Sequence, residues 1–460
     1  MRPGFFGRAR RRARNGRGLR FWPVLLSAAA FGFGAAPAAA VPAFAVQTGQ
    51  PCQMCHIGAF GPQLTPFGRR FKLNGYTLRA GGTFTAPVSA MAVASFVHTE
   101  KDQPEPPAPH YAVNDNTTID EISLFLAGGI GSHFGGFAQA TYSGVDRAVA
   151  WDNLDLRAVD RTTLLGSDVV LGLSLNNNPT IQDVWATLPG WGFPFTESDL
   201  MPGPDAATLV SDALAQNVLG LSAYAWWDDR LYTEAGLYRS LSTGFLKTVG
   251  VDPGDTSEID GAAPYVRVAW QQDYGEQNFE VGAFALFADL FPGRDRSTGA
   301  TDNFRDVGLD ASYQYTGDGS NIVTLNGRYI HESQNLAATQ ALGGALNRAL
   351  DLEELNLNAS YTYKNTVGLT AGAFDIQGRR DPLLYADSRT FSPDSSGFIF
   401  QADVTPFGGD NPPLGTRVNL RVGVQYVVFT TFNGASTNFD GAGHDASDNN
   451  TLRLFLWTAF

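Results

Sequence analysis

Alternation of apolar and polar residues with a period of two runs through most of this chain, and it restricts the fold to strands with two different faces. The pattern is clearest over residues 304–315, 352–364 and 418–428. Successive side chains of a strand point to opposite sides of a sheet, so one face here is apolar and the other is polar or charged. Such a sheet either packs its apolar face on a second sheet or turns it toward lipid.

Turn signals divide the alternating region into sixteen predicted strands. They cover residues 87–99, 117–130, 133–146, 167–177, 181–188, 217–228, 231–241, 262–273, 277–289, 304–315, 320–332, 352–364, 367–378, 395–405, 416–430 and 449–460. Short links such as 229–230 and 365–366 alternate with long links such as 147–166 and 189–216. Even strand number, short periplasmic turns and long outer loops are typical of outer-membrane barrels. We therefore predict an all-β fold, a transmembrane barrel of about sixteen strands over residues 86–460.

The C-terminal residues and the hydropathy favour the membrane alternative over a soluble extracytoplasmic β-protein. Residues 451–460 alternate up to a terminal Phe460, which resembles the C-terminal signal of outer-membrane barrels. Beyond the N-terminal region, no apolar stretch is long enough for a membrane helix. The mean hydropathy of −0.12 suits a chain whose residues alternate between lipid and lumen. Solubility without detergent would distinguish the soluble alternative.

Residues 1–45 predict a secretory signal peptide. Eight arginines precede an apolar run at Phe21–Phe33, and small residues follow. Cleavage is possible after Ala38-Ala39-Ala40 or after Ala43-Phe44-Ala45; the alternative, a membrane anchor, would need a longer run. Cleavage after residue 45 leaves 24 basic against 45 acidic residues, a net charge of −21. That charge repels nucleic acid and attracts cations and basic proteins.

Both cysteines of the chain lie in one pentapeptide, Cys52-Gln-Met-Cys55-His56. A C-x-x-C-H motif binds one haem c, with thioether bonds from Cys52 and Cys55 and with His56 as an axial ligand of the iron. The alternatives are a thioredoxin-like redox pair and a structural disulfide. No βαβ pattern surrounds the motif, so we predict a covalent haem segment over residues 46–85.

A short helix is predicted after the motif, with Thr65 as N-cap, Pro66 at its first position and Asn74-Gly75 at its end. Its basic residues either form an ordinary solvated face or pair with the haem propionates. These candidates are Arg69, Arg70 and Lys72.

The second axial ligand of the haem iron is not fixed by any motif. Met91 lies on the lumenal face of the first predicted strand, where its thioether could bind the iron or simply fill space. His98 and His133 are the other candidates.

The stretch from Val41 to Leu78, containing VPAFAVQTGQPCQMCH and LTPFGRRFKLNGYTL and followed by a barrel, resembles the fused cytochrome-porin family of outer-membrane iron-oxidising cytochromes. The barrel matches that family only in strand count and pattern. The resemblance implies that electrons from extracellular Fe(II) pass through one lumenal haem to a periplasmic c-type cytochrome, which would make the protein a ferrous iron oxidase. A non-iron donor, and a porin whose periplasm-facing haem serves another partner, remain alternatives.

Charged residues away from the motif give two weaker expectations. Acids of the long loops could attract metal cations, although exposed acids are commonly just solvated. They are Asp289, Asp295, Asp302, Asp381, Asp387 and Asp440. Glu354, Arg417 and Arg421 are expected to pair with one another across the lumen.

Overall fold

A computed structural model describes residues 43–81, 88–409 and 418–460, so the predicted signal peptide lies outside the described residues except at positions 43–45. The strands form a single antiparallel sheet. They are β1 Val88–Thr99, β2 Asn116–Ile130, β3 Phe134–Ser143, β4 Ala148–Leu164, β5 Ser167–Asn176, β6 Val218–Trp227, β7 Leu231–Ser240, β8 Glu258–Ile259, β9 Ala263–Tyr274, β10 Gln277–Phe291, β11 Asp302–Tyr315, β12 Asn321–Leu336, β13 Ala349–Tyr363, β14 Val367–Gly378, β15 Ser395–Val404, β16 Asn419–Thr431 and β17 Thr451–Ala459.

The sheet closes on itself because the first long strand pairs with the last. Strand β1 pairs with β2 on one side and with β17 on the other, from Met91 opposite Ala459 to Thr99 opposite Thr451. Strand β8 pairs with β10 just beyond the region where β9 pairs with it, so β8 extends β9 rather than adding to the circumference. The result is a closed sixteen-stranded barrel, as the sequence predicts, with no edge strand left unpaired.

The barrel is apolar outside and polar inside. On β11, for example, Val307 and Leu309 are 51% and 60% exposed, whereas Asp306 and Asp310, which flank them in the sequence, are buried. Exposed Leu, Val, Ile and Phe side chains recur around the wall, far beyond the apolar area that a soluble monomer presents to water. The chain is therefore a transmembrane barrel whose outer face contacts lipid.

In the part of the chain that the structure describes, five short α-helices accompany the strands. They are α1 Ala43–Thr48, α2 Cys52–Cys55, α3 Pro66–Leu73, α4 Thr243–Thr248 and α5 Ala337–Ala341. Within the described ranges, no helix combines the length and the apolar character needed to cross a bilayer.

Two of the predicted elements are wrong, and their errors cancel in the strand count. The predicted link 147–166 contains β4, whose inward face carries Asp155 and Arg157 and therefore does not look like a strand core. The predicted strand 181–188 is a loop, because the Asp183 carboxylate accepts hydrogen bonds from the backbone of Trp185, Thr187 and Leu188 and curls the chain around itself.

That loop belongs to a long connection, residues 177–217, which folds into the barrel instead of lying outside it. We call residues 177–217 the lumenal loop. Barrel side chains hold it at several heights. The hydroxyl of Thr187 donates to Asp310, Arg453 donates to the carbonyl of Thr196, and the backbone N–H of Val210 donates to Asp306. The polar inner face of the barrel therefore faces packed protein along this connection.

The expected pairing among lumenal charges is also different. Glu354 forms its ion pair with Arg328 at 2.6 Å, and Arg421 lies 3.4 Å from Asp403. Each pair joins residues of neighbouring strands, because a side chain reaches the adjacent strand more easily than it reaches across the lumen. Arg417 lies outside the described residues.

Because the outer face of the barrel contacts lipid, a charge introduced there should lower the free energy of unfolding by an amount that depends on its position. Leu309→Arg places a guanidinium near the middle of the apolar band and is expected to lower the free energy of unfolding by about 2–4 kcal/mol. Leu342→Arg, in the long connection after α5 and 44% exposed, is the matched control and is expected to have an effect near zero. Denaturant titration in phospholipid vesicles measures both; equal effects would contradict the assignment.

Candidate functional site

The cysteine motif leads into a small hairpin. Helix α2 contains both cysteines, and the backbone N–H of His56 donates to the carbonyl of Cys52. The chain then turns back, with the N–H of Ile57 donating to Gln63 and the N–H of Thr65 donating to Cys55, both at 3.0 Å. We call residues 56–65 the hairpin.

Helix α3 follows the hairpin, and it begins and ends at the predicted residues. The Thr65 side chain accepts a hydrogen bond from the Gly68 N–H, Pro66 is the first helical residue, and Gly75 has a φ of +68° beyond the end of the helix. Gly68 also has a packing role, because a Cβ at that position would overlap the carbonyl oxygen of Cys55. Helices α2 and α3 can approach this closely only with glycine there.

The His56 ring is held by a hydrogen bond to the backbone of the hairpin. Its Nδ1 lies 2.6 Å from the carbonyl oxygen of Gly61, and because a carbonyl can only accept, Nδ1 carries the proton and Nε2 keeps its lone pair. Burial lowers the pKa of His56 to about 4, so the ring is neutral at pH 7. In metal-binding histidines, the tautomer is fixed in this way by a hydrogen bond from the ring nitrogen that does not bind the metal.

The donor set of the motif fits a covalent haem c. The Cys52 and Cys55 thiols are not joined by a disulfide, and both lie on the one-turn helix that ends at His56. Two thiols and one neutral imidazole with Nε2 available are the groups that the C-x-x-C-H attachment uses.

Residues 43–78, which we call the plug, lie inside the barrel at the end where the short turns are. Its contacts reach strands around most of the circumference. These are Gly129 of β2 with Gln47, Asp155 of β4 with Tyr76, Tyr224 of β6 with Leu73, Asn278 of β10 with Arg69, Gln314 of β11 with Leu64, Asn365 before β14 with Gly58, and Arg421 of β16 with Gly58 and Phe60. The motif is thus part of the filling of the lumen.

The N-terminal end of the plug bears on the choice between the two signal cleavage sites. Phe44 stacks on Tyr76 with ring centroids 4.9 Å apart, and Ala43 is buried in the same apolar cluster. Of the two predicted cleavages, the one after Ala45 would remove these contacts and the one after Ala40 would keep them.

Of the three predicted propionate partners, two already have partners within the protein. Arg69 is 2% exposed and donates to Asn278, and the Lys72 ammonium donates to the carbonyls of Ile181 and Asp183 at 2.6 and 2.9 Å. These two side chains fasten α3 to the wall and to the lumenal loop. Arg70 is the exposed member of the three.

Met91 faces the lumen, and it packs against the apolar cluster formed by Phe60, Val93, Phe455 and Trp457. Because Phe60 belongs to the hairpin, Met91 lies beside the segment that follows His56. Ligation of iron by Met91 remains a prediction.

The two alternative histidines occupy other places. His98 pairs with Asp115 at 2.7 Å, at the end of β1 that leads into a long loop. His133 lies in the exposed turn between β2 and β3, 3.9 Å from Asp160.

Two of the loop acids have structural roles that the sequence does not show. Asp302 is buried and accepts hydrogen bonds from the N–H groups of Ala338 and Thr339 at the start of α5. Asp381 is fully buried and accepts from four backbone N–H groups, at residues 346, 347, 383 and 384. In the described ranges, no group of three or more His, Cys, Asp or Glu side chains is arranged to hold a metal ion.

Sequence reasoning missed the residues of the wall that hold the hairpin. A cavity between the hairpin and strands β13–β16 is lined by Gln63, Asn365, Asp403 and Arg421, among others. Arg421 is 363 residues from Gly58 in the chain, and no local pattern links the two. The one signal in the sequence is the alternation along β16, which places Arg421 on the inward, polar face of that strand.

No family model and no curated protein matches this chain. Solved structures that are similar include OmpT of Vibrio cholerae (9% identity, TM-score 0.42, covering 81% of this chain and 96% of that one). An anion-selective porin from Comamonas acidovorans has 13% identity and a TM-score of 0.43, covering 81% and 99%. The channel DcaP of Acinetobacter baumannii has 11% identity and a TM-score of 0.45, covering 83% and 100%. At these values the fold assignment rests on the strand pairing alone.

The close approach of α2 and α3 generates a testable expectation. Gly68→Val forces the two helices apart, and overpacking of this kind costs about 1–3 kcal/mol. We expect trypsin to cut the plug at Arg69, Arg70 or Lys72 about tenfold faster or more, while the barrel keeps its heat-modifiable mobility on gels. Gly244→Val, where nothing lies within 4 Å, is the control. Unchanged cleavage in Gly68→Val would show that the helices do not pack as described.

Proposed function

We propose that this chain is an outer-membrane monohaem cytochrome-porin that moves electrons across the outer membrane, oxidising extracellular Fe(II) and passing the electrons to a periplasmic c-type cytochrome. The observation that carries the proposal is the haem-attachment motif built into the lumen, with His56 held neutral and oriented by Gly61. In outer-membrane barrels the short turns face the periplasm. The motif at that end would lie within reach of a periplasmic partner.

Each residue of the motif has a separate task in this proposal. Cys52 and Cys55 would hold haem c by thioether bonds, and His56 would bind its iron through Nε2. The haem supplies reversible one-electron exchange. The chain contributes the fixed imidazole, the packed plug that keeps the motif at one depth, and the buried surroundings that limit access of water.

The packing inside the barrel supports an electron conduit over an open channel. The plug contacts much of the circumference, and residues 177–217 are largely buried within the lumen above it. Solutes would have to cross both layers. The porin alternative, in which a periplasm-facing haem serves another redox partner, needs an open path beside them.

Fe(II) as the donor is supported by the resemblance of residues 41–78 to iron-oxidising cytochromes and by the net charge. The full chain carries −13, and loss of the signal peptide would make the charge more negative, which favours the approach of cations. Oxidation outside the cell would also keep insoluble ferric products out of the periplasm. Another extracellular donor is the alternative.

A visible absorption spectrum tests the central claim. Purified, air-oxidised protein should show the bands of oxidised haem c, and anaerobic Fe(II) should convert them to the reduced bands that dithionite gives. The Cys52→Ala/Cys55→Ala variant should retain no covalent haem after denaturation. Reduction by dithionite but not by Fe(II) would leave the conduit with another donor. Absence of haem bands in the wild type would refute the proposal.

Single-channel recording in planar bilayers separates the conduit from the porin. We expect wild-type protein to show no large, stable conductance steps, because the plug and the lumenal loop occlude the barrel. A variant lacking residues 46–78 should conduct more. Porin-sized steps in the wild type would favour the passive porin.

A further inference from the structure

Arg421 connects the barrel wall to the hairpin directly. It lies on the lumenal face of β16 and is 5% exposed. Its Nη2 donates to the carbonyl of Gly58 at 2.9 Å and to the carbonyl of Phe60 at 2.8 Å, and its Nε donates to the hydroxyl of Thr405 at 3.3 Å. One guanidinium thus holds two carbonyls of the hairpin.

The surroundings of Arg421 are shaped to receive it. The guanidinium carbon lies 4.8 Å from the centroid of the Phe60 ring and 5.3 Å from that of Trp457. A side chain at Gly58 would collide with Nη2, so the absence of a side chain there leaves room for the contact. Asp403 supplies the counter-charge at 3.4 Å and is itself held by the Gln401 amide.

The two carbonyls that Arg421 binds belong to Gly58 and Phe60, three residues and one residue before Gly61, whose own carbonyl accepts the hydrogen bond of His56. Displacement of residues 58–60 would therefore move the group that fixes the imidazole. The charges of Arg421 and Asp403 also act within a buried region, where electrostatic interactions are stronger than in water.

We propose that the Arg421–Asp403 pair is a positioning and tuning device for the haem site: it anchors the hairpin that orients His56 and sets the midpoint potential of the iron. The inference rests on the proposed function. A positive charge nearby stabilises the reduced, less positive iron, and a negative charge stabilises the oxidised iron. The two members of the pair thus push the potential in opposite directions.

Potentiometric titration of purified holoprotein tests the tuning. Arg421→Gln should shift the midpoint potential to a more negative value, and Asp403→Asn should shift it to a more positive value. Arg328→Gln, which removes another lumenal arginine that contacts Thr187 and Glu354, is the matched control and should leave the potential in place. Unchanged potentials in both pair variants, or shifts of the same sign, would overturn the tuning role.

Proteolysis of haem-free protein tests the positioning separately. In a Cys52→Ala/Cys55→Ala background, Arg421→Gln should speed trypsin cleavage of the plug several-fold. Arg421→Lys should give an intermediate rate, because an ammonium can replace the Nη2 donations to the carbonyls but not the Nε donation to Thr405. Heat-modifiable gel mobility shows that each barrel is folded. Equal cleavage rates would overturn the anchoring role.

The two assays also distinguish this inference from the proposed function. A wild-type protein without haem would refute the proposed function and with it the tuning role, while the cleavage rates would still decide the anchoring. A haem-loaded wild type whose potential ignores Arg421 and Asp403 would leave the proposed function standing and refute the tuning.

Discussion

A barrel wall with lipid on its outside can direct its polar side chains only inward, and in this molecule those side chains meet protein rather than an open channel. Arg267, for example, is buried among Asp183, Glu280 and Asp310, of which the first belongs to the lumenal loop. Buried charge is tolerated only when it is paired and hydrogen-bonded. The positions of the loop and the plug therefore depend on satisfying the inner face of the wall.

The same requirement explains which parts of the fold the sequence reveals. Strands with an apolar outer face, such as β11 and β16, are visible from alternation because lipid demands it over their whole length. Strand β4 is not visible from alternation, because its inward face carries charged residues, of which Asp155 contacts the plug, and because its last residues are exposed. Residues 181–188 are predicted as a strand, but their partners are lumenal groups that no periodicity records.

The candidate site divides in a similar way. The motif, the Thr65 cap and the end of α3 are local features, and each is recognisable from residues a few positions apart. The roles of Arg69 and Lys72 depend on Asn278 and on carbonyls of the lumenal loop, which become neighbours only when the barrel has formed. The contacts of Arg421 and Asn365 with the hairpin are invisible in the sequence for the same reason.

The pairing of β1 with β17 has a consequence for the order of events during biogenesis. The plug precedes β1 in the chain, and the wall can close around it only when β17 meets β1. Cys52 is 9% exposed once the barrel has closed. If haem is attached there, Cys52 would be more accessible before that seam closes, so attachment to the unclosed chain would be easier than attachment to the finished barrel.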